Sequence, residues 1–321
     1  MRQWRVDLDA LRLVLKIAEL GNLSRAGEHL GLPRSRVSRR LKALEAELGV
    51  RLFHRTTRVV RPTPDGEALL PRARRLVREA DELEALFRPG PRLRGRVRAN
   101  LPVNLARRFV LPALPDLLAR HPDLELFVST TDRLVDAVSE GFDCVLRVGE
   151  PAGGELVRRR LGELEMVSCV SREYVERRGA PASLEALSDH LLIHWASGSG
   201  VEAPAFEYEA DGETRTAPMP SAITVDGADA YRAACLAGLG VVQVPRIGVE
   251  AHLASGALVE ILPEHRCAPM PVSLLHPHGR RLPARVRAVM DWIEAALAPA
   301  LGASAVRSVP KTNRKGSSAG S

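Results

Sequence analysis

Three short runs of apolar residues at helical spacing fill the first fifty positions of the 321-residue chain. The first run ends at Gly21, the second lies between Asn22 and Gly31, and the third begins at Pro33. Within each run, apolar residues recur every three or four positions, which predicts a helix with one buried stripe. Asn22 suits the N-cap of the second helix, and proline suits the first turn of the third. The short link Gly31-Leu32 is typical of a helix-turn-helix.

The third predicted helix separates its apolar side from its cationic side. Its inner face is formed by apolar residues spaced four, three and four apart: Val37, Leu41, Leu44 and Leu48. Hydrogen-bond donors project from the remaining surface of its first turns: Arg34, Ser35, Arg36, Ser38, Arg39 and Arg40. In the DNA major groove, arginine pairs with guanine O6 and N7, and helix N-terminal amides donate to phosphate oxygens. The helix is therefore predicted to contact bases.

A short β-hairpin is predicted directly after this helix. Residues 50–61 alternate enough, and contain enough β-branched side chains, to form two strands. We expect Arg55, Thr56 and Arg58 to reach the flanking DNA backbone or minor groove, where they set register more than sequence preference. Three helices, a turn and a hairpin in this order predict an all-α winged helix-turn-helix over residues 1–62.

Positive charge is concentrated in the same part of the chain. Residues 1–96 contain 22 basic and 12 acidic side chains, a net charge of +10, whereas residues 97–321 contain 24 and 27, a net charge of −3. A polyanion such as double-stranded DNA is the commonest reason for such a concentration. A solvated arginine-rich surface is the alternative that charge alone leaves open.

Composition excludes several other classes of protein. The cysteines Cys144, Cys169, Cys235 and Cys267 are too widely spaced for a zinc knuckle, so we predict no metal. The first residues are charged, unlike a secretory signal, and no apolar run approaches the ~20 residues that span a bilayer. We therefore expect a cytoplasmic protein that does not bind a membrane.

A long helix is predicted from Thr63, a suitable N-cap, to Phe87. Its apolar residues repeat at heptad spacing: Leu69, Ala73, Leu76, Ala80, Leu83 and Phe87. This spacing predicts self-association through Leu69, Leu76 and Leu83, with packing on its own domain as the alternative. Pro71, in the interior of this helix, argues against an uninterrupted coiled coil. Residues 63–91 are thus predicted to form a linker and dimerisation helix that ends in a hinge rich in proline and glycine.

Beyond the hinge, predicted strands alternate with predicted helices over residues 92–302. The strands are expected at residues 97–101, 124–130, 142–148, 165–170, 191–195 and 240–244. This alternation predicts a mainly parallel sheet with helices on both faces. An Asp211-Gly212 turn adds one hairpin over residues 207–215.

Small ligands bind beyond the carboxyl ends of strands in α/β sheets, near helix N-termini. Residues predicted to line such an effector site follow the strands: Val103, Asn104, Thr131, Arg147, Gly149, Asp226 and Val241. Asn104 and Thr131 are candidates for a carboxylate contact, with a plain N-cap as the alternative. The glycines of Gly238-Leu239-Gly240 follow a helical run and precede a strand, the reverse of a dinucleotide loop, so we predict no cofactor.

A family resemblance is carried by residues 23–58, which read LSRAGEHLGLPRSRVSRRLKALEAELGVRLFHRTTR. They resemble the signature of LysR-type transcriptional regulators, and residues 7–66 fit throughout. Gly27 stands where such proteins usually have alanine and is expected to loosen the second helix by up to about 1 kcal/mol. Pro33-Arg34 replaces a more typical Ser-Pro or Ser-Gln pair.

The resemblance implies a C-terminal α/β effector-binding domain with two lobes, like a periplasmic binding protein. It places lobe 1 at residues 92–163 and 268–300, and lobe 2 at residues 164–267. Residues 303–321 are small and polar and are predicted to be a disordered tail.

These features predict a sequence-specific transcription regulator that is not an enzyme. It would bind a palindromic operator as a dimer or a dimer of dimers, respond to a small anionic metabolite between the lobes, and contact RNA polymerase. One alternative is an enzyme fused to a DNA-binding domain, but no nucleophile, base or metal set supports it. The other is a nonspecific architectural protein, whose apolar wedges do not match the polar face of the third helix.

Overall fold

The computed structural model describes residues 7–55, 60–86, 93–150, 156–196, 203–279 and 282–301. The predicted hinge after the linker helix and the predicted tail over residues 303–321 lie outside the described residues, as do Thr56 and Arg58 of the predicted hairpin.

The N-terminal unit consists of four helices and a two-stranded antiparallel hairpin. The elements are α1 (Leu8–Leu20), α2 (Leu23–His29), α3 (Arg34–Leu48), β1 (Phe53–Arg55), β2 (Val60–Pro62) and α4 (Pro64–Leu86). The Asn22 side chain accepts hydrogen bonds from the amides of Ser24 and Arg25, which confirms the predicted N-cap. Pro33 differs from the prediction, because it occupies the N-cap of α3 and not its first turn.

The buried stripes of α1, α2 and α3 meet in one core. Val37 and Leu41 are fully buried there, together with Val14 and Ile17 of α1, and burial of each such side chain stabilises the unit by about 1.5–3 kcal/mol. The hairpin is attached to this core because the Glu45 carboxylate accepts a hydrogen bond from the amide of Leu52 at 2.9 Å, beside Phe53. The three helices and the hairpin therefore form one packed unit.

The linker helix α4 begins at its predicted cap and continues through Pro71. The Thr63 hydroxyl accepts a hydrogen bond from the Gly66 amide at 3.1 Å and donates one to the Arg51 carbonyl at 2.6 Å. Pro71 lies inside this helix of 23 residues, which continues past it as the predicted helix does. The beginning of α4 packs against α1.

Lobe 1 is built on a five-stranded sheet of order β4-β3-β5-β14-β6. Its strands are β3 (Gly95–Leu101), β4 (Leu124–Thr130), β5 (Cys144–Val148), β6 (Val157–Leu164) and β14 (Met270–His276). Its helices are α5 (Val103–Leu105), a π-helical turn (Ala106–Val110), α6 (Leu111–Arg120) and α10 (Ala284–Leu297). β3 is parallel to β4 and β5, whereas β14 is antiparallel to β5 and β6. The prediction of a mainly parallel sheet is therefore wrong for β14 and β6, which pair antiparallel.

Lobe 2 combines a three-stranded antiparallel sheet with two strand pairs. The sheet has the order β12-β7-β13, with β7 (Met166–Ser171), β12 (Val242–Pro245) and β13 (Leu258–Glu260). The pairs are parallel β8 (Leu192–Trp195) with β11 (Ser221–Val225) and antiparallel β9 (Ala205–Ala210) with β10 (Glu213–Pro218). The helices are α7 (Arg172–Arg178), α8 (Ala228–Leu236) and α9 (Glu250–Ala254), with 3₁₀ turns Glu185–Asp189 and Arg246–Gly248. The predicted hairpin forms at Asp211-Gly212, where both residues have positive φ.

The chain crosses between the two lobes twice. It leaves the lobe 1 sheet after β6, passes Glu165 and enters lobe 2 at β7; it returns between β13 and β14. Each lobe therefore has its own sheet and apolar core. The segments that follow β3 and β4 contact lobe 2, through Asn104 with Arg232 and Asp132 with Ala228.

Candidate functional site

The predicted DNA-contacting helix presents its cations to solvent. Arg34, Arg36, Arg39 and Arg40 are all exposed, whereas Val37, on the opposite side of α3, is fully buried. Within the described part of the chain, none of these four guanidinium groups has a carboxylate partner. Ser35 is exposed and Ser38 half-buried beside them. The helix thus offers a continuous face of free donors, as base and phosphate contacts require.

The glycine that departs from the family pattern allows the turn before this helix to be tight. A Cβ atom on Gly27 would lie 2.5 Å from the Leu32 carbonyl oxygen and 3.1 Å from a Val37 methyl group. The lower helix propensity of glycine is therefore accompanied by a close approach of α2 to the following turn.

Only some of the DNA-contacting residues predicted in the hairpin lie within the described part of the chain. Arg55 ends β1 and pairs with Val60, while Thr56 and Arg58 lie in the portion that is not described. Arg61, which pairs with His54, is exposed. Arg61 therefore adds one exposed cation to the described part of the DNA-binding unit.

A polar cluster lies at the carboxyl ends of the lobe 1 strands. The Arg147 guanidinium, on β5, donates from Nη1 to the Asn100 side-chain oxygen and to the Leu146 carbonyl, both at 3.0 Å. The Asn100 side-chain nitrogen in turn donates to the Ser129 hydroxyl at 3.2 Å. Arg147 is only 8% exposed, and its Nη2 atom has no hydrogen-bond partner among the described residues. Burial lowers the pKa of Arg147, although the charge of Glu140 opposes this shift.

One aspartate joins the two lobes beside this cluster. Asp132 Oδ1 accepts a hydrogen bond from the amide of Val103, at the start of α5 in lobe 1, at 3.1 Å. Its Oδ2 accepts one from the amide of Ala228, at the start of α8 in lobe 2, at 2.9 Å. Both amides are among those that a helix leaves without an internal partner.

Asn104 also lies between the lobes, in contact with cationic groups. Its side-chain oxygen accepts hydrogen bonds from Arg107 at 3.1 Å and from Arg232, in lobe 2, at 3.4 Å. Pro102 and not Asn104 precedes the first residue of α5, so the N-cap alternative for Asn104 is wrong. The Thr131 hydroxyl accepts a hydrogen bond from the Arg133 amide at 3.2 Å. Because no helix follows Thr131 within the described range 93–150, this is a local turn bond and not an N-cap.

A cavity of about 70 Å³ lies at this contact. Its lining comes from both lobes: Asn104, Leu105, Arg107, Arg108, Phe109, Arg232, Ile247 and Gly248. All three arginines are already paired: Arg232 and Arg107 with Asp229, at 2.6 and 3.6 Å, and Arg108 with Glu250 at 3.2 Å. The cavity is therefore cationic but largely neutralised.

The remaining predicted effector residues are less close to this cluster. Gly149 adopts a φ of +92° and donates its amide to Pro271, which indicates a backbone role. Asp226 is exposed after β11, and Val241 is fully buried in the apolar core of lobe 2. The structure thus brings together Val103, Asn104, Thr131 and Arg147, whereas Val241 does not present its side chain to the cleft.

Sequence reasoning missed Asn100 and Ser129 as site residues and did not identify Asp132 as a bridge. Asn100 is a fully buried amide within the otherwise apolar end of β3, and this polar interruption was the available signal. No local signal marks Asp132, because its two partners are 29 and 96 residues away.

The four cysteines are free and buried. Burial raises the pKa of the Cys267 thiol to about 12, and a hydrogen bond with Cys169 together with burial raises the pKa of Cys235. Over the described ranges, no three His, Cys, Asp or Glu side chains lie close enough to hold a metal ion. None of the helices in the described ranges is both long and apolar enough to cross a bilayer.

Two family models together match most of the chain. The model of the bacterial regulatory helix-turn-helix protein, lysR family, matches residues 8–67, and the model of the LysR substrate binding domain matches residues 91–298. The regulator YhjC of Escherichia coli K12 is 38% identical over 287 residues, which are 89% of this chain and 96% of the relative. An HTH-type transcriptional repressor of Pseudomonas aeruginosa UCBPP-PA14 is 33% identical, covering 89% of this chain and 90% of the relative.

Among solved structures, CrgA from Neisseria meningitidis, a LysR-type transcriptional regulator, superposes with a TM-score of 0.56 at 25% identity. The superposition covers 91% of this chain and 99% of CrgA. The winged helix-turn-helix, the linker helix and the two-lobed domain thus occur in the same order in both proteins. The chain belongs to the LysR family of transcriptional regulators, with a DNA-binding helix-turn-helix domain and an effector-binding domain.

Proposed function

We propose that this regulator binds a specific, roughly palindromic operator as a dimer or a dimer of dimers. The observation that carries the proposal is the division of α3, where Val37 and Leu41 are buried while Arg36 and Arg39 are exposed and free. A free guanidinium at the start of a helix can pair bidentately with guanine in the major groove. In this proposal the DNA-binding unit comprises residues 1–62.

Self-association through the linker, residues 63–91, provides the second half of the palindrome. Leu76 and Leu83 lie seven residues apart on one side of α4 and are 42% and 58% exposed in the single chain. Leucines at this spacing favour a partner helix. Leu69, by contrast, is partly buried in the core of its own DNA-binding unit.

We further infer that residues 92–302 bind a small carboxylate between the lobes. Arg147 supports this, because a buried guanidinium with an unpartnered nitrogen gains most from an anion. Asn100, Asn104 and Thr131 supply further polar groups nearby. The bound effector would change how the lobes meet and, through the dimer, how the protein acts on RNA polymerase in the cytoplasm.

The test of the DNA-binding proposal uses an operator selected by the purified protein from random duplexes. Arg36→Ala or Arg39→Ala should each cost about 1 to 3 kcal/mol, or roughly 5- to 150-fold in operator affinity, and relax base preference. Arg120→Ala, an exposed arginine of lobe 1, is the matched control and should leave affinity unchanged.

Gel-shift titrations at constant salt with excess random duplex as competitor measure the effect. Equal affinity for operator and random duplex would support the architectural alternative and contradict the proposal. Unchanged operator affinity in both arginine variants would remove α3 as the base-contacting element.

A further inference from the structure

Asp132 lies near the start of a segment that extends from the inter-lobe cleft to the linker helix. Residues 131–141, named here the connecting segment, run from the inter-lobe contact to the surface that faces the linker helix. At its first end, the Asp132 carboxylate is shared between the amides of Val103 in lobe 1 and Ala228 in lobe 2. A ligand that changes the distance between those two amides therefore changes the hydrogen bonds that position Asp132.

Hydrogen bonds within the connecting segment link residues near its two ends. The Arg133 guanidinium forms two parallel bonds with the Glu140 carboxylate, at 3.1 and 2.9 Å, which closes the segment on itself. The Asp136 carboxylate accepts hydrogen bonds from the amides of Ser139, at 3.1 Å, and Val138, at 2.9 Å. These two hydrogen bonds lower the pKa of Asp136. The side chain of Ala137, which is part of the segment, is buried. These bonds connect the residues next to Asp132 to Ser139 and Glu140, beside the contact with Arg74.

The other end of the connecting segment holds the linker helix. Arg74 of α4 donates from Nη1 to the Ser139 carbonyl oxygen at 2.6 Å, across 65 residues of sequence. Gly141 makes room for this side chain, since a Cβ there would lie 2.7 Å from the Arg74 Cδ atom. Burial lowers the pKa of Arg74, while the charges of Glu19 and Glu140 oppose the shift. The half-buried guanidinium therefore fixes α4 to the segment.

We propose that the connecting segment transmits the state of the inter-lobe cleft to the linker helix, with Asp132 and Arg74 as its two attachment points. An effector that alters the bonds of Asp132 changes the hold on Arg74 and so the orientation of α4, which carries the DNA-binding unit. This inference rests on the proposed effector site and gives it a route to DNA. A second contact, Glu19 with Arg96 at 3.4 Å, joins α1 to lobe 1 without reaching the cleft.

Amide hydrogen exchange on the full-length protein, without DNA or ligand, tests the coupling. Asp132→Asn preserves size but replaces one accepting oxygen by an NH₂ group, so one lobe loses its bond. We expect exchange to become at least about ten-fold faster at the amide of Val103 or Ala228. Exchange in α4 around Arg74 should also become faster. Asp116→Asn, an exposed aspartate on α6, is the matched control and should change neither region.

The reciprocal variant separates coupling from local loosening. Arg74→Met keeps the aliphatic stem but removes the donor to Ser139, and coupling between two sites acts in both directions. It should therefore speed exchange at the amide of Ala228. Strands β3 and β14 serve as internal references, since faster exchange there would indicate global unfolding.

If each variant speeds exchange only at its own end, the proposed coupling is wrong. This measurement involves no operator, so loss of DNA binding in the arginine variants of α3 and loss of coupling are separate outcomes.

Discussion

At the scale of single residues, burial in lobe 2 shifts the protonation equilibrium of His190. The Leu191 amide donates to the Tyr174 hydroxyl oxygen at 3.1 Å, and the same hydroxyl lies 3.1 Å from His190 Nδ1. The Tyr174 hydroxyl can donate to Nδ1 when that nitrogen is unprotonated, as in one tautomer of the neutral imidazole. Burial lowers the pKa of His190, and the charge of Asp189 opposes this only in part. Burial therefore favours the neutral imidazole of His190 over its protonated form.

Because the pKa of His190 is lower when folded than when unfolded, the unfolded chain binds more protons just below the ordinary value of 6.5. Stability should be highest above this value and should decrease as pH falls from about 7.5 to about 5.5. His190→Asn, which retains an acceptor, should weaken this decrease, although buried His276 still contributes. Thermal midpoints across the pH range measure it, with exposed His54→Asn as the control. Equal slopes in wild type and His190→Asn would contradict the interpretation.

At the scale of helices and strands, the features predicted correctly were those determined by neighbours in sequence. Asn22 caps α2 and Thr63 caps α4 because each bond closes within three residues. The arginines of α3 were likewise identified from helical spacing alone. The antiparallel β14 and the bridge between lobes at Asp132 were not, because each depends on a partner more than 90 residues away, Val148 or a neighbour for β14 and Ala228 for Asp132. Sequence spacing contains no information about such pairings.

The linker helix shows the same division between its two halves. Leu70 and Ala73 are buried against the DNA-binding unit, whereas Leu76 and Leu83 remain exposed. The heptad pattern identified the apolar side of α4, but only the structure separates the residues that pack within the chain from those left for a partner. The residues predicted to contact a partner helix are therefore limited to Leu76 and Leu83, in the second half of α4.

Replacing Leu76 and Leu83 by aspartate should dissociate the proposed dimer without unfolding the chain. A charge in an apolar seam is costly to bury, so the dissociation constant should rise at least about ten-fold. Sedimentation velocity over a concentration series measures the change, with circular dichroism to monitor folding. Leu239→Asp, at a leucine of lobe 2 that is 44% exposed, is the control. An unchanged association state would show that the dimer forms through another surface.

At the scale of the whole molecule, charge and symmetry together determine what the operator must look like. The net charge of +10 lies within residues 1–96, so each protomer has one cationic end and a weakly anionic regulatory end. If two such protomers associate through α4, their α3 helices enter successive major grooves about 34 to 36 Å apart. The DNA-binding ends then face the same side of the duplex, and the two half-sites must lie about one helical turn apart.

This geometry predicts a strong dependence of affinity on half-site spacing. Inserting five base pairs between the half-sites turns one of them to the opposite face of the duplex, because one turn contains about 10 to 10.5 base pairs. Affinity should then fall to that of a single half-site, while replacing five central base pairs without changing the length should have a small effect. Gel-shift titrations at one salt concentration compare the three duplexes. Undiminished affinity after the insertion would mean that each half-site is bound independently, and the paired arrangement of the α3 helices would have to be given up.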